Sequence, residues 1–263
     1  MVEHHPFDDP KILAVLFHPR KAQAGSSRRE NVTDGTIPTG DGDELGYRLF
    51  RAGPASPLIV FFHGNGEIAA DYEWVAPLYG ELGLSLLVVD YRGYGWSTGK
   101  PRASTLLADA LAVADGLERV REEAGVEADI PLYVMGRSLG SVPAIHLAHE
   151  RAGHFAGLIV ESGFADSTAL LLRIGAPPDR LQPGIPDPFD NAGKMASVHL
   201  PLLVIHGTED LLIPISEGKA LYEASPSTQK AFFSVRGAGH NDLLSVDPEG
   251  YFQAIDDFVT AAL

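Results

Sequence analysis

The chain contains no cysteine. That single absence excludes disulfides, thiolate nucleophiles, zinc–thiolate sites and S-acylation. Basic residues are scarce as well: 20 Lys and Arg stand against 35 Asp and Glu, for a formal charge of −15. A basic face for nucleic acid or an anionic membrane is therefore not expected. Long apolar runs are missing too, since those at 58–62 and 84–89 fall far short of a bilayer's thickness. The opening residues, MVEHHPFDDPK, carry acids and prolines where a secretory signal would have a basic and then an apolar stretch. A cytoplasmic, soluble protein with no membrane anchor is expected.

What the chain does have is apolar mass, 45% of 263 residues, enough for one large α/β domain. Residues 31–51 read as two strands around the turn Thr39-Gly40-Asp41-Gly42-Asp43. From residue 57 short apolar strands alternate with helices. Strands are predicted at 58–62, 84–89, 132–135, 156–161, 201–206 and 230–235. Helices are predicted at 69–83, 104–124, 141–151, 216–224 and 247–262. Fully apolar strands are the mark of a sheet covered on both faces. The alternation implies right-handed crossovers and a mostly parallel, eight-stranded sheet flanked by helices in a single α/β domain. The rhythm breaks at 163–199, where Pro177, Pro178, Pro183, Pro186 and Pro188 surround a short helix signal at 169–174. This stretch is expected to form a small cap over the sheet's carboxyl edge. Residues 1–30 form an N-terminal extension, in which 11–17 could be a short docked helix. Its His4, His5, Asp8 and Asp9 read as a mobile polar end in preference to a metal site.

The chemistry centres on Gly136-Arg137-Ser138-Leu139-Gly140, which follows an apolar strand and opens a helix. G-x-S-x-G in that setting presents its serine at the apex of a sharp turn, above the sheet. By itself the pattern also fits an ordinary glycine-rich turn. In an open α/β sheet, ligands bind at the carboxyl ends of strands, so partners of Ser138 should follow strands directly. The loop after 201–206 reads His206-Gly207-Thr208-Glu209-Asp210, and the loop after the last strand reads Gly237-Ala238-Gly239-His240-Asn241-Asp242. His240 is the only histidine beyond Asp210, and the order Ser, acid, His is that of this motif class. A serine hydroxyl is a poor nucleophile until an imidazole takes its proton. Ser138 is thus the candidate nucleophile, His240 the base and Asp210 the group that orients it, with Glu209 as a rival acid. Asp242 reads as the cap of a short turn. The Leu139 N–H and the Asn65 N–H, in His63-Gly64-Asn65-Gly66 after the third strand, are candidate oxyanion donors. His63 and His206 are read as loop anchors, and Ser97, Ser141 and Ser162 as structural. Neither phosphate-loop nor dinucleotide spacing occurs in the glycine-rich loops.

Together, the segments HGNG (63–66), DYRGYGWSTGKP (90–101), GRSLGS (136–141), HGTEDLLIP (206–214) and GAGHND (237–242) resemble the α/β-hydrolase superfamily. The branch that looks most similar holds serine aminopeptidase-like hydrolases and protein depalmitoylases. The resemblance runs from about residue 58 to 263 and implies the α/β-hydrolase fold, a triad of Ser138, Asp210 and His240, and oxyanion donors Asn65 and Leu139. It also implies no metal and no organic cofactor. Membrane-associated depalmitoylases of this branch carry an N-terminal cysteine cluster that is absent here, so neither a membrane role nor protein depalmitoylation is expected. Relatives of this fold that use an aspartate nucleophile, the haloalkane dehalogenases and epoxide hydrolases, are disfavoured by Ser138.

The expected activity is cleavage of a small-molecule carboxylic ester or thioester through an acyl-enzyme. The alternatives are an aminopeptidase or amidase, with Asp166, Asp179 and Asp187 as a loose acidic recess, and a non-catalytic binder. Trp96, Phe164, Leu170, Leu171, Ile174 and Phe189 are candidate walls for an apolar acyl group of modest length.

Overall fold

The computed structural model describes residues 5–25, 27–181 and 187–262. Its eight strands are β1 (Val32–Pro38), β2 (Glu44–Phe50), β3 (Leu58–Phe62), β4 (Ser85–Val89), β5 (Leu132–Arg137), β6 (Gly157–Glu161), β7 (Leu202–Gly207) and β8 (Lys230–Val235). They form one sheet in the order β1-β2-β4-β3-β5-β6-β7-β8. β1 and β2 pair antiparallel, as do β2 and β4, and every pairing from β4 to β8 is parallel. The parallel strands therefore end on one edge, where the loops after β3, β5, β7 and β8 converge.

The helices are α1 (Pro10–Leu16), α2 (Ala76–Glu81), α3 (Ala103–Ala124), α4 (Ser141–Glu150), α5 (Ser167–Arg173), α6 (Asn191–Met195), α7 (Ile215–Ala224), α8 (Leu243–Val246) and α9 (Pro248–Ala262). Alternation along the strands divides the core in two. In β3, Leu58, Val60 and Phe62 face a cluster with Ile12, Val113 and Ile145, from α1, α3 and α4. Ile59 and Phe61 face the opposite cluster, with Tyr79 of α2 and Tyr251 and Ile255 of α9. Both sides of the strands are thus sealed, which is why no polar residue interrupts Leu58–Phe62. Among the described residues no helix is long and apolar enough to cross a membrane.

Three stretches depart from the sequence reading. The helix predicted at 69–83 is split into a 3-10 turn, Ala69–Glu73, and α2. Pro77 has no N–H to donate to the preceding turn, so the helix restarts around it. Within 163–199, α5 starts at Ser167 because Asp166 caps it, accepting the Ala169 N–H at 2.9 Å. α6 had no visible signal in the sequence. It packs on α4 and α7, and burial of Met195 and Val198 makes the end of this stretch part of the body. Pro183 and Pro186 lie outside the described residues. At the N-terminus the expected mobile polar end is instead a set of caps. His5 Nδ1 accepts the Phe7 N–H, Asp9 accepts the Lys11 N–H at the start of α1, and the Asp8 carboxylate accepts the Ser104 hydroxyl at 2.6 Å. His4 lies outside the described residues.

On α4, burial, helped by the Lys194 ammonium, pushes His146 down to about 4. The unfolded chain then binds more protons than the native protein between that value and the ordinary imidazole value near 6.5. Stability therefore falls as pH drops through this window. In the His146→Gln variant, the melting temperature should decline less between pH 6.5 and 4 than in wild type, as read by calorimetry. Parallel declines would refute this assignment.

Candidate active site

The nucleophile turn is shaped by two glycines that have no room for a side chain. A Cβ on Gly136 would strike the Gly140 carbonyl, and one on Gly140 would strike the Phe62 carbonyl. Strand β5, helix α4 and strand β3 therefore cross in close backbone contact. Between the two glycines, Ser138 sits at φ 53°, in the left-handed region. A non-glycine residue is held there at a cost of about 1–3 kcal/mol, sustained by the surrounding packing.

Three strand ends meet at this serine. His240 Nε2 lies 2.9 Å from Ser138 Oγ, and His240 Nδ1 lies 2.7 Å from Asp210 Oδ2. The carboxylate assigns the ring proton to Nδ1 and leaves Nε2 free to accept the serine proton. The other Asp210 oxygen accepts the N–H groups of Leu212 and Ile213 at 2.9 and 2.7 Å. Burial opposes the charge on Asp210, but these bonds and those from the neighbouring imidazoles hold its carboxyl well below the usual carboxylate range. Glu209, the rival acid, is exposed, and the carboxylate that meets His240 is that of Asp210. The loops carrying Asp210 and His240 are themselves in close contact: the Glu209 N–H donates to Ala238 O at 2.9 Å, and the Gly237 N–H donates to Thr208 Oγ1 at 2.8 Å. Asp242 closes the histidine turn by accepting the Gly239 N–H at 2.6 Å.

The loop after β3 brings Asn65 alongside. Its side-chain oxygen accepts from the His18 N–H and the Tyr94 hydroxyl, both at 2.8 Å, and its amide nitrogen meets His18 Nδ1 at 2.8 Å. The side chain is thus a hook, and the Asn65 backbone N–H is left without an acceptor among the described residues. Leu139 is buried beside Ser138, at the start of a helical turn, where backbone N–H groups lack intrahelical partners. His63 donates from Nδ1 to Gly64 O at 2.8 Å, with Nε2 at 3.2 Å from Asp90. His206 donates to Ile213 O at 2.8 Å. Both rings are fully buried loop anchors. Ser97 and Ser141 use their hydroxyls on the backbone, at Asp90 O and Ser138 O respectively.

Arg137 escaped the sequence reading because the motif treats it as a spacer. Its guanidinium, 12% exposed, joins four segments. It pairs with Glu67 in the loop after β3 and with Glu161 at the end of β6, and donates to His240 O and Asn241 Oδ1, both at 2.9 Å. Glu67 in turn accepts the Gly64 N–H at 2.9 Å. The nucleophile turn, the Asn65 loop and the histidine loop are thereby tied through one cation. Burial opposes that cation, but the two carboxylates raise the Arg137 pKa above its ordinary value. The one available hint in the sequence was a buried-strand residue, Glu161, that needed a cation.

Ser138 and His240 open into a cavity of about 300 Å³. Its apolar walls are Leu170 of α5 and Ile174 just after it, Val15 and Leu16 of α1, and Leu212 beside the acid. A larger cavity, about 440 Å³, lies behind Arg137 near Trp74 and Tyr251, and none of the three triad candidates lines it. Of the predicted wall residues, Leu170 and Ile174 are in place and four are not. Trp96 is held elsewhere, its indole donating to Gly35 O at 2.9 Å beneath the Arg48 guanidinium. Phe164 and Leu171 are 1% exposed and turned into the core. Phe189, fully buried, stacks edge-on against Phe7 at 5.4 Å. Large apolar side chains near the cap were claimed by packing, and the N-terminal helix took their place.

A family described as serine aminopeptidase, S33, matches residues 53–178. A Mycobacterium tuberculosis protein, Rv2307c, is 34% identical over 233 residues, covering 86% of this chain and 79% of its own length. Mouse alpha/beta hydrolase domain-containing protein 17C is 37% identical over 207 residues, 76% of this chain, which spans 60% of the mouse protein. Among solved structures, a Pyrococcus furiosus esterase, Pf2001, superposes with a TM-score of 0.73 at 20% identity, covering 93% of this chain and 98% of its own. A Paleococcus ferrophilus monoacylglycerol lipase superposes with a TM-score of 0.65 at 19% identity, over 84% of this chain and all of its own. At such identities the structural likeness speaks for the fold, and the sequence relatives agree with it. The chain belongs to the α/β-hydrolase superfamily.

Proposed function

We propose that this protein is a serine hydrolase that cleaves carboxylic esters or thioesters through an acyl-enzyme. One observation carries the reading: Ser138, His240 and Asp210 form a continuous hydrogen-bonded relay, 2.9 and 2.7 Å per link, at the foot of a cavity walled in part by apolar side chains. In the first half-reaction Ser138 Oγ attacks the acyl carbon and its proton passes to His240 Nε2. The N–H groups of Asn65 and Leu139 would receive the developing oxyanion, a role in which one donor is worth on the order of 10²–10³ in turnover. Collapse breaks the bond to the leaving alkoxide or thiolate, which takes the proton from His240. Water, deprotonated by the same imidazole, then releases the acid. Asp210 stays ionised throughout and stabilises the imidazolium.

An apolar acyl group suits the Val15, Leu16, Leu170, Ile174 and Leu212 side chains of the cavity; no Asp or Glu lines it among the described residues, and the Arg137 guanidinium that also lines it is already paired with Glu67 and Glu161. Its volume of about 300 Å³ is at the small end for ligand pockets, consistent with a modest chain. The aminopeptidase alternative needs a free carboxylate for the substrate's ammonium group. The Asp166 carboxylate is occupied in capping α5, Asp187 accepts the N–H groups of Ser167 and Phe189, and the exposed Asp179 lies beside Arg180.

A fluorophosphonate probe should label the wild-type chain and leave Ser138→Ala unlabelled; labelling that survives the substitution would place the nucleophile elsewhere. Asp210→Asn should lower kcat about 10⁴-fold by presenting the wrong imidazole tautomer. A loss below tenfold would move the orienting role to another acid. Across p-nitrophenyl esters from acetyl to octanoyl, and against a succinyl ester, uncharged acyl groups should be preferred, and faster turnover of the succinyl ester would overturn the apolar assignment.

A further inference from the structure

The S33 family match begins at residue 53, yet the cavity over Ser138 is closed by residues from far upstream. Helix α1 docks through Ile12 and Leu16, which are 0% and 3% exposed. Its start is tied to the segment over the sheet edge, by the Phe7–Phe189 ring contact and by Asp9, 3.5 Å from Arg180. Its end runs into an extended strap. There His18 holds Asn65 and Arg20 donates to Gly66 O at 3.1 Å. The backbone of 20–22 pairs with Gly95, with bonds of 2.8 and 3.0 Å. The helix is thus fixed at both ends against the loops that shape the site. Val15, half-buried, lies on the cavity wall that also holds Leu170 and Ile174.

We propose that α1 is the specificity wall of the acyl site, and that the side chain at position 15 sets how long an apolar acyl chain can be. The proposal rests on Ser138 being the acylated nucleophile. Its physical basis is steric: a packed apolar wall has no slack to absorb added volume, and a truncated one opens space along the chain's path. The strap keeps the wall in register with the Asn65 loop, so chain length is read close to the point of attack.

The test uses p-nitrophenyl alkylphosphonates, methyl through octyl, as probes of the full-length protein. Labelling forms a bond from Ser138 Oγ to phosphorus, breaks the bond to nitrophenolate and passes the hydroxyl proton to His240, so no turnover is required. The readout is the ratio of octyl to methyl labelling rates. Val15→Trp should lower it about tenfold or more, the scale on which a hydrophobic pocket discriminates by size, and Val15→Ala should raise it. Opposite shifts cannot come from a general loss of folding. Ratios within twofold of wild type in both variants, or shifts in the same direction, would overturn the proposal while leaving the serine-hydrolase reading intact. A wild-type chain that no member of the series labels would overturn both.

Discussion

The site depends on a steric constraint. Strand β5 and helix α4 can meet only because Gly136 and Gly140 carry nothing that would hold the backbones apart, and Gly140 presses against the carbonyl at the end of β3. That closeness bends the chain enough to force Ser138 to φ 53°, which lifts its hydroxyl off the sheet towards His240. It also brings Gly140, the residue after Leu139, against the start of the loop at His63. The candidate nucleophile and the residue after it therefore follow from a single crossing. A methyl group added at either glycine would disturb both together.

Arg137 supplies the complementary constraint, in charge. A lone buried guanidinium would be costly, and here it is matched by Glu67 and Glu161 and by carbonyl and amide oxygens of the histidine loop. The carboxylates respond differently. Burial opposes ionisation of both, yet Arg137 and the Tyr72 hydroxyl leave Glu67 below its ordinary value, while the deeper Glu161 is pushed up. Removing one partner from such a cluster typically destabilises by about 3–5 kcal/mol, because it strands the other charges. The loops around Ser138 thus share one electrostatic brace.

Much of this architecture is local in the sequence and was legible there. Apolar runs bounded by turns give β3, β4 and β7 to within a residue, and the β1–β2 hairpin follows from its Thr39–Asp43 turn. The positions of Ser138, Asp210 and His240 were legible because each directly follows a strand. What lay hidden is non-local. Trp96, Phe164, Leu171 and Phe189 look like pocket residues in a list of large side chains, but only the packing shows that β1, the turn before α1 and the core claim them. The contribution of Val15 and Leu16 was equally invisible, since nothing in residues 10–16 announces a serine more than a hundred positions away. Arg137 was hidden by the motif itself, which names its neighbours and ignores its side chain.

The sequence separations within the site have a consequence for biosynthesis. The Ser138–His240 bond spans 102 positions, and the Asp210–His240 bond spans 30. A chain emerging from the ribosome from its N-terminus holds the strap, the Asn65 loop and the nucleophile long before β8 exists to carry the imidazole. Ser138 in that nascent chain is an ordinary alcohol. The hydrogen-bonded chain from Ser138 through His240 to Asp210 can close only once the final strand has joined the edge of the sheet, so the unfinished protein lacks the imidazole that the proposed chemistry needs while it folds.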